Sequence, residues 1–110
     1  MNKIDYNGHP CTFSLYRYRD NDNLAVQMTT YIEGYPEPYA MITRNLGLHC
    51  NKDCAFIDTN NLPGIGRWLI REGLAHATGR SCPSGYCMYD EYKFDMDELK
   101  EYIGEDDYNE

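Results

Sequence analysis

The chain has 110 residues, 42% of them hydrophobic and 25% charged, the composition of one folded domain and not of a disordered segment. A formal net charge of −8 disfavours phosphate backbones and anionic membranes as partners and favours a basic protein surface. Five cysteines, an odd number, argue against a disulfide framework.

The first residues, Met1-Asn-Lys-Ile-Asp-Tyr6, hold no apolar leader, and no window reaches the ~20 apolar residues of a membrane span. The expected location is therefore the cytoplasm. The first half of the chain reads as sheet. Residues 12–18 form a strand candidate, and Asp20-Asn-Asp-Asn23 then makes a turn. Leu24, Val26, Met28, Thr30 and Ile32 alternate with Ala25, Gln27, Thr29 and Tyr31, the period-2 pattern of a strand with one buried face. Gly34-Tyr-Pro-Glu-Pro38 is expected to break it, and residues 39–46 supply a third strand. Three sequential strands with short connections most simply make an antiparallel meander. Residues 55–58 give a short fourth strand.

Helical signals follow. Asn60 or Asn61 is placed to cap a helix whose early turn holds Pro63. Ile65, Trp68 and Leu69 share one face, Arg67 and Arg71 lie on another, and Gly73 is a C-terminal stop. Thr78-Gly-Arg80 and Pro83-Ser-Gly85 read as turns, followed by a Tyr-rich strand at 86–94. Asp95-Met-Asp-Glu98 is a capping box in its Asp form. It opens a helix with Met96, Leu99 and Ile103 inward and Gly104 at its end. The expected fold is α+β: an antiparallel sheet, a three-strand meander plus one or two further strands, with two short helices packed on it. Residues 1–104 form one domain and 105–110 an acidic tail.

Two cysteine pairs flank the first helix, His49-Cys50-Asn-Lys-Asp-Cys54 and Cys82-Pro-Ser-Gly-Tyr-Cys87. Cys50, Cys54, Cys82 and Cys87 have the donor chemistry for a tetrahedral zinc, yet spacings of three and four residues are looser than the two-residue knuckle that wraps zinc most readily. Free thiols are the expectation, and no cofactor is expected. Cys11 stands apart. His9, His49 and His76 accompany no nucleophile signature. Gly64-Ile-Gly66 lacks the third glycine and the Lys-Ser/Thr of phosphate-binding loops, so close packing at a helix entry accounts for it. Arg17, Arg19, Arg44, Arg67, Arg71 and Arg80 are scattered and balanced by acids, which argues against direct nucleic-acid binding.

The sharpest signal is where the charge sits. Residues 86–110 carry ten acids against Lys93 and Lys100, while residues 1–85 carry eight acids and eight bases. A neutral body thus bears an acidic end. Asp97, Glu101 and Glu105 are spaced to make a ridge along one helix side, with Asp90, Glu91, Asp95 and Glu98 beside it. Such carboxylates draw on the Arg and Lys side chains that otherwise hold phosphates. The expected partner-binding set is these seven acids with Tyr89, Tyr92 and Tyr102 as aromatic anchors, because charge steers association and buried rings hold it. The expected partner is a basic host protein or nuclease complex.

Ala55-Phe-Ile-Asp-Thr-Asn-Asn-Leu-Pro-Gly-Ile65, Gly73-Leu-Ala75, Thr78-Gly-Arg80, Ser84-Gly-Tyr-Cys87 and Tyr89-Asp-Glu-Tyr-Lys-Phe94 together resemble a family of small uncharacterised proteins carried by phages, plasmids and conjugative elements of gut bacteria. The resemblance covers residues 55–94, leaves the acidic end outside it and assigns no catalytic residue. It implies a mobile-element context, in which small acidic proteins often inhibit CRISPR effectors or restriction enzymes. A non-enzymatic inhibitor of that kind is the leading expectation. The alternatives are a mobile-element maintenance protein without an inhibitory role and a small zinc- or thiol-dependent enzyme.

Overall fold

A computed structural model describes residues 2–104 and shows an α+β fold of two antiparallel four-stranded sheets with two short helices. The first sheet has the order β1 (Ile4–Tyr6), β2 (His9–Arg17), β3 (Leu24–Ile32), β4 (Tyr35–Met41). Its two tight hairpins are set by Asn7-Gly8 and Glu33-Gly34, in which both turn residues have positive φ. That conformation matches the right-handed twist of the flanking strands. Pairing of Phe13 with Met28 and of Leu15 with Val26 puts the expected β3 face on the core, although Ile32 at the hairpin tip is exposed.

Two expectations change in this sheet. Pro36 and Pro38 do not break the chain but lie within β4, which is the sheet's edge. An edge strand tolerates the missing N–H, and a bulge at Tyr39 absorbs the irregularity between Met28 and Thr29. The expected strand at 39–46 is divided at Ile42. This buried residue donates to the Val26 carbonyl at 2.9 Å and accepts from the Asp58 N–H at 2.8 Å. Ile42 is the corner where the chain leaves one sheet for the other.

The second sheet has the order β5 (Thr43–Arg44), β6 (Cys54–Ile57), β8 (Cys87–Phe94), β7 (Ala75–Ser84). Thr78-Gly-Arg80 is not a turn. It bulges within β7, where Ala77 pairs with Tyr92 and Ser81 with Asp90, leaving three residues opposite Glu91. The turn falls at Gly85-Tyr86.

Helix α1 (Ile65–Arg71) starts later than expected, behind a left-handed Gly64, and no side chain caps it. Asn61 is instead held by Asp58, whose carboxylate accepts from its backbone N–H and its amide. The helix ends in a Schellman motif, with Leu74 N–H on the Leu69 carbonyl and Gly73 N–H on that of Ile70. A Cβ at Gly66 would overlap the Tyr92 hydroxyl, so this glycine permits close packing of helix on sheet. Trp68 donates through Nε1 to the Asp5 carbonyl at 3.1 Å and meets the Tyr6 ring edge-on, tying α1 to the first sheet.

The main core joins Phe13, Val26 and Met28 of the first sheet to Ile57, Tyr92 and Phe94 of the second, with Trp68, Leu69 and Leu99 from the helical segments. Helix α2 (Met96–Lys100) is capped as expected, Asp95 accepting from the Glu98 N–H at 3.2 Å. It is shorter than expected. Ile103 forms a parallel bridge with Phe13 in place of a further helical turn. Phe13 N–H donates to the Tyr102 carbonyl and Gly104 N–H to the Phe13 carbonyl, so residues 102–104 continue the sheet edge beyond short β1.

Candidate partner-binding surface

The acidic segment does not present all its residues alike. Asp90, Asp95, Asp97, Glu98 and Glu101 are exposed, and Glu105 lies outside the described residues. The expected ridge of Asp97, Glu101 and Glu105 is no continuous helix face, because α2 ends at Lys100 with Glu101 as its C-cap. Glu98 and Glu101 remain open to solvent on consecutive turns, while Asp90 accepts a hydrogen bond from Ser81 Oγ at 2.7 Å on the β7–β8 hairpin.

Glu91 is corrected outright. Its residue is 5% exposed, and its carboxylate accepts from Thr78 Oγ1 at 2.8 Å and from Arg80 Nη1 at 3.3 Å. Strand alternation decides this. Asp90 and Glu91 point to opposite sides, and Glu91 faces a second small core on the outer face of the second sheet. Tyr89 and Tyr92 are corrected as anchors too, being 3% and 8% exposed. Tyr92 belongs to the main core, where burial raises the pKa of its phenol. The Tyr89 ring lies in the second core under the Arg44 guanidinium. Tyr102 is partly buried, edge-on to Phe13.

The apolar groups offered near Asp90 are Tyr86, fully exposed at the hairpin turn, and Met88, 60% exposed. Met88 and Asp90 share one face of β8. Neither residue is in the expected partner-binding set, and Tyr86 lies in the turn and not in the expected strand at 86–94; its signal in the sequence is a large ring after Gly85, where turns usually carry small polar residues.

The second core gathers the cysteines. Cys50, Cys54 and Cys82 pack with Phe56 and Tyr89, and Cys87 borders them. None of the five cysteines is in a disulfide. Among the described residues, no three or more His, Cys, Asp or Glu side chains are grouped to hold a metal ion. Burial, followed by the neighbouring Glu91, pushes the Cys50 thiol up to about 12, and burial also raises Cys54. These sulfurs therefore stay protonated near neutral pH, the opposite of an activated nucleophile. Cys54 pairs across Lys93 with His76 on the far strand, two strand spacings or about 10 Å away, so no thiol–imidazole pair forms there.

All four sheet edges are blunted. β1 has three residues and β5 two, β4 carries two prolines, and β7 carries the bulge and Pro83. Such edges resist strand addition. A partner would therefore meet side chains and not a backbone ladder.

A domain of unknown function, DUF4313, matches residues 12–109. The chain belongs to this family. The match runs well beyond residues 55–94 and takes in the acidic segment, so that segment lies within the family's span and not outside it. No curated protein and no solved structure matches the chain. Among the described residues, no helix is long and apolar enough to cross a membrane.

Proposed function

We propose that this protein is a non-enzymatic, protein-binding inhibitor of a bacterial nucleic-acid-targeting defence complex, of the anti-CRISPR or anti-restriction type, acting in the host cytoplasm. The observation that carries the reading is the segregation of charge: ten acids in the last 25 residues on a chain whose other 85 are neutral, with Asp90, Asp95, Asp97, Glu98 and Glu101 all exposed. These carboxylates occupy a basic nucleic-acid groove on the partner and take the Arg and Lys contacts that phosphates would take. Tyr86 and Met88 supply the apolar anchors beside Asp90. The blunted edges support contact through side chains, and the raised thiols of Cys50 and Cys54 favour binding over thiol chemistry.

The test is capture of a bacterial effector nuclease by the full chain, followed by its cleavage activity with increasing amounts of the protein. Loss of cleavage at stoichiometric protein is expected. Equal inhibition by the Asp97→Lys/Glu98→Lys/Glu101→Lys variant would sink the groove-occupying mechanism. Binding without any effect on cleavage would favour a maintenance role on a mobile element.

A further inference from the structure

A groove of about 600 Å³ lies between the end of β2, the turn at 52–53 and the start of α2. Four of the chain's ten Lys and Arg side chains line it: Arg17, Lys52, Lys93 and Lys100. Among the described residues, none of the three lysines is in an ion pair. Arg17 gives Nη1 to the Lys52 carbonyl at 2.8 Å, which fixes its guanidinium at the groove wall. Three carboxylates, Asp53, Asp95 and Asp97, line the same groove, and that of Asp95 is engaged by the Glu98 N–H. Leaving aside His76, which also lines the groove, four cations against three carboxylates give a net charge of +1, on a chain whose net charge on the same count is −8. A second concavity of about 430 Å³ shares Arg17, Met96 and Lys100 with the first and adds Leu15, Tyr16 and Leu24. The two concavities thus adjoin at Arg17, Met96 and Lys100, the second adding aliphatic groups to its wall, and each is of a size that holds a small ligand.

We propose that these two adjoining concavities bind the carboxy terminus of a peptide ending in a large apolar residue. A net +1 lining suits one carboxylate better than a doubly charged phosphate, which would also face Asp53 and Asp97. The last side chain of the peptide covers Leu15, Leu24 and Met96, and its backbone N–H groups donate to the Asp53 and Asp97 carboxylates. A fatty acid has no such donors and would lay methylenes against those carboxylates, stripping their hydration without compensation. The site lies apart from the Tyr86–Asp90 hairpin but shares Asp95 and Asp97 with the acidic segment. It is therefore tested on the chain alone, with no nuclease present, and its failure is distinguishable from failure of nuclease docking.

The experiment is an NMR titration of the full chain with acetyl-Ala-Ala-Phe bearing a free carboxylate, its carboxamide, octanoate and inorganic phosphate. Saturable shifts at Arg17, Met96 and Lys100 are expected with the free acid, and binding about tenfold weaker with the carboxamide. Lys93→Gln/Lys100→Gln should weaken the acid about tenfold while leaving the urea midpoint unchanged. Equal binding of acid and carboxamide, tighter binding of octanoate or phosphate, or no saturation with the acid would each overturn the proposal.

Discussion

Arg80 lies over the Phe56 ring and 3.3 Å from the carboxylate of Glu91, while also donating to the His49 carbonyl at 3.0 Å. One guanidinium thus neutralises the buried acid of β8, covers the second core and holds the loop that precedes β6. Removing one partner of such a pair leaves an uncompensated charge, but Arg80 is partly exposed and water moderates the loss. Arg80→Ala should cost about 2 kcal/mol of unfolding free energy in urea. Replacing both partners, Arg80→Met with Glu91→Leu, should recover much of that loss, since an apolar pair leaves no charge to desolvate.

Gly66 and Tyr92 make the second tight contact. Gly66→Ala would push its Cβ into the Tyr92 hydroxyl, with the Tyr92 Cζ at 3.0 Å behind it. A loss of about 2 kcal/mol by chemical denaturation is expected, the usual scale of overpacking. Adding Tyr92→Phe should return part of it; no recovery would show that the strain lies elsewhere.

The Cys50 thiol gives stability a defined alkaline limit. Its pKa rises from 9.0 in the unfolded chain to about 12 in the fold, so the unfolded chain loses the proton first. The stabilisation is fully present below pH 9 and falls as pH rises through 9 toward 12. Thermal unfolding midpoints across that range should decline less steeply in Cys50→Ala than in the parent.

Asp95 separates structure from recognition in the acidic segment. Its side chain caps α2 through the Glu98 N–H, so Asp95→Ala should cost about 1 kcal/mol of stability. Calorimetry reading no change would show that the cap bond adds no net stability over the hydration it replaces.

Reversal at Asp97, Glu98 and Glu101 tests recognition with the cap intact. Affinity for a basic nuclease should fall steeply with added salt in the parent, because exposed charges are screened over about 8 Å at physiological ionic strength. The reversed variant should show weak binding and a flat salt dependence, measured by titration calorimetry. A parent that binds with no salt dependence would exclude charge as the recognition term.

Period and caps were legible along the chain. The alternation at 24–32 marked β3, Ile65, Trp68 and Leu69 marked the buried face of α1, Gly73 marked its end, and Asp95 with Glu98 marked the cap of α2. Each is a local rule, satisfied by neighbours within a few residues. Glycine at 66 was legible as close packing, while its partner Tyr92 was not.

What sequence alone determined is thus the α+β class, the strand and helix faces, and the segregation of ten acids into the last 25 residues. Only the tertiary structure decided which of those acids and rings face solvent. Glu91, Tyr89 and Tyr92 sit inside and Asp90, Tyr86 and Met88 outside, because the β8 face of Tyr89 and Glu91 is covered close to the turn while the opposite face is covered at Tyr92 and Phe94 and bare at Met88 and Asp90. Burial on two faces depends on what a loop and a distant strand lay over the sheet, and local periodicity carries no record of it. The same holds for the groove of Arg17, Lys52, Lys93 and Lys100, whose members lie far apart in the chain and meet only through the fold.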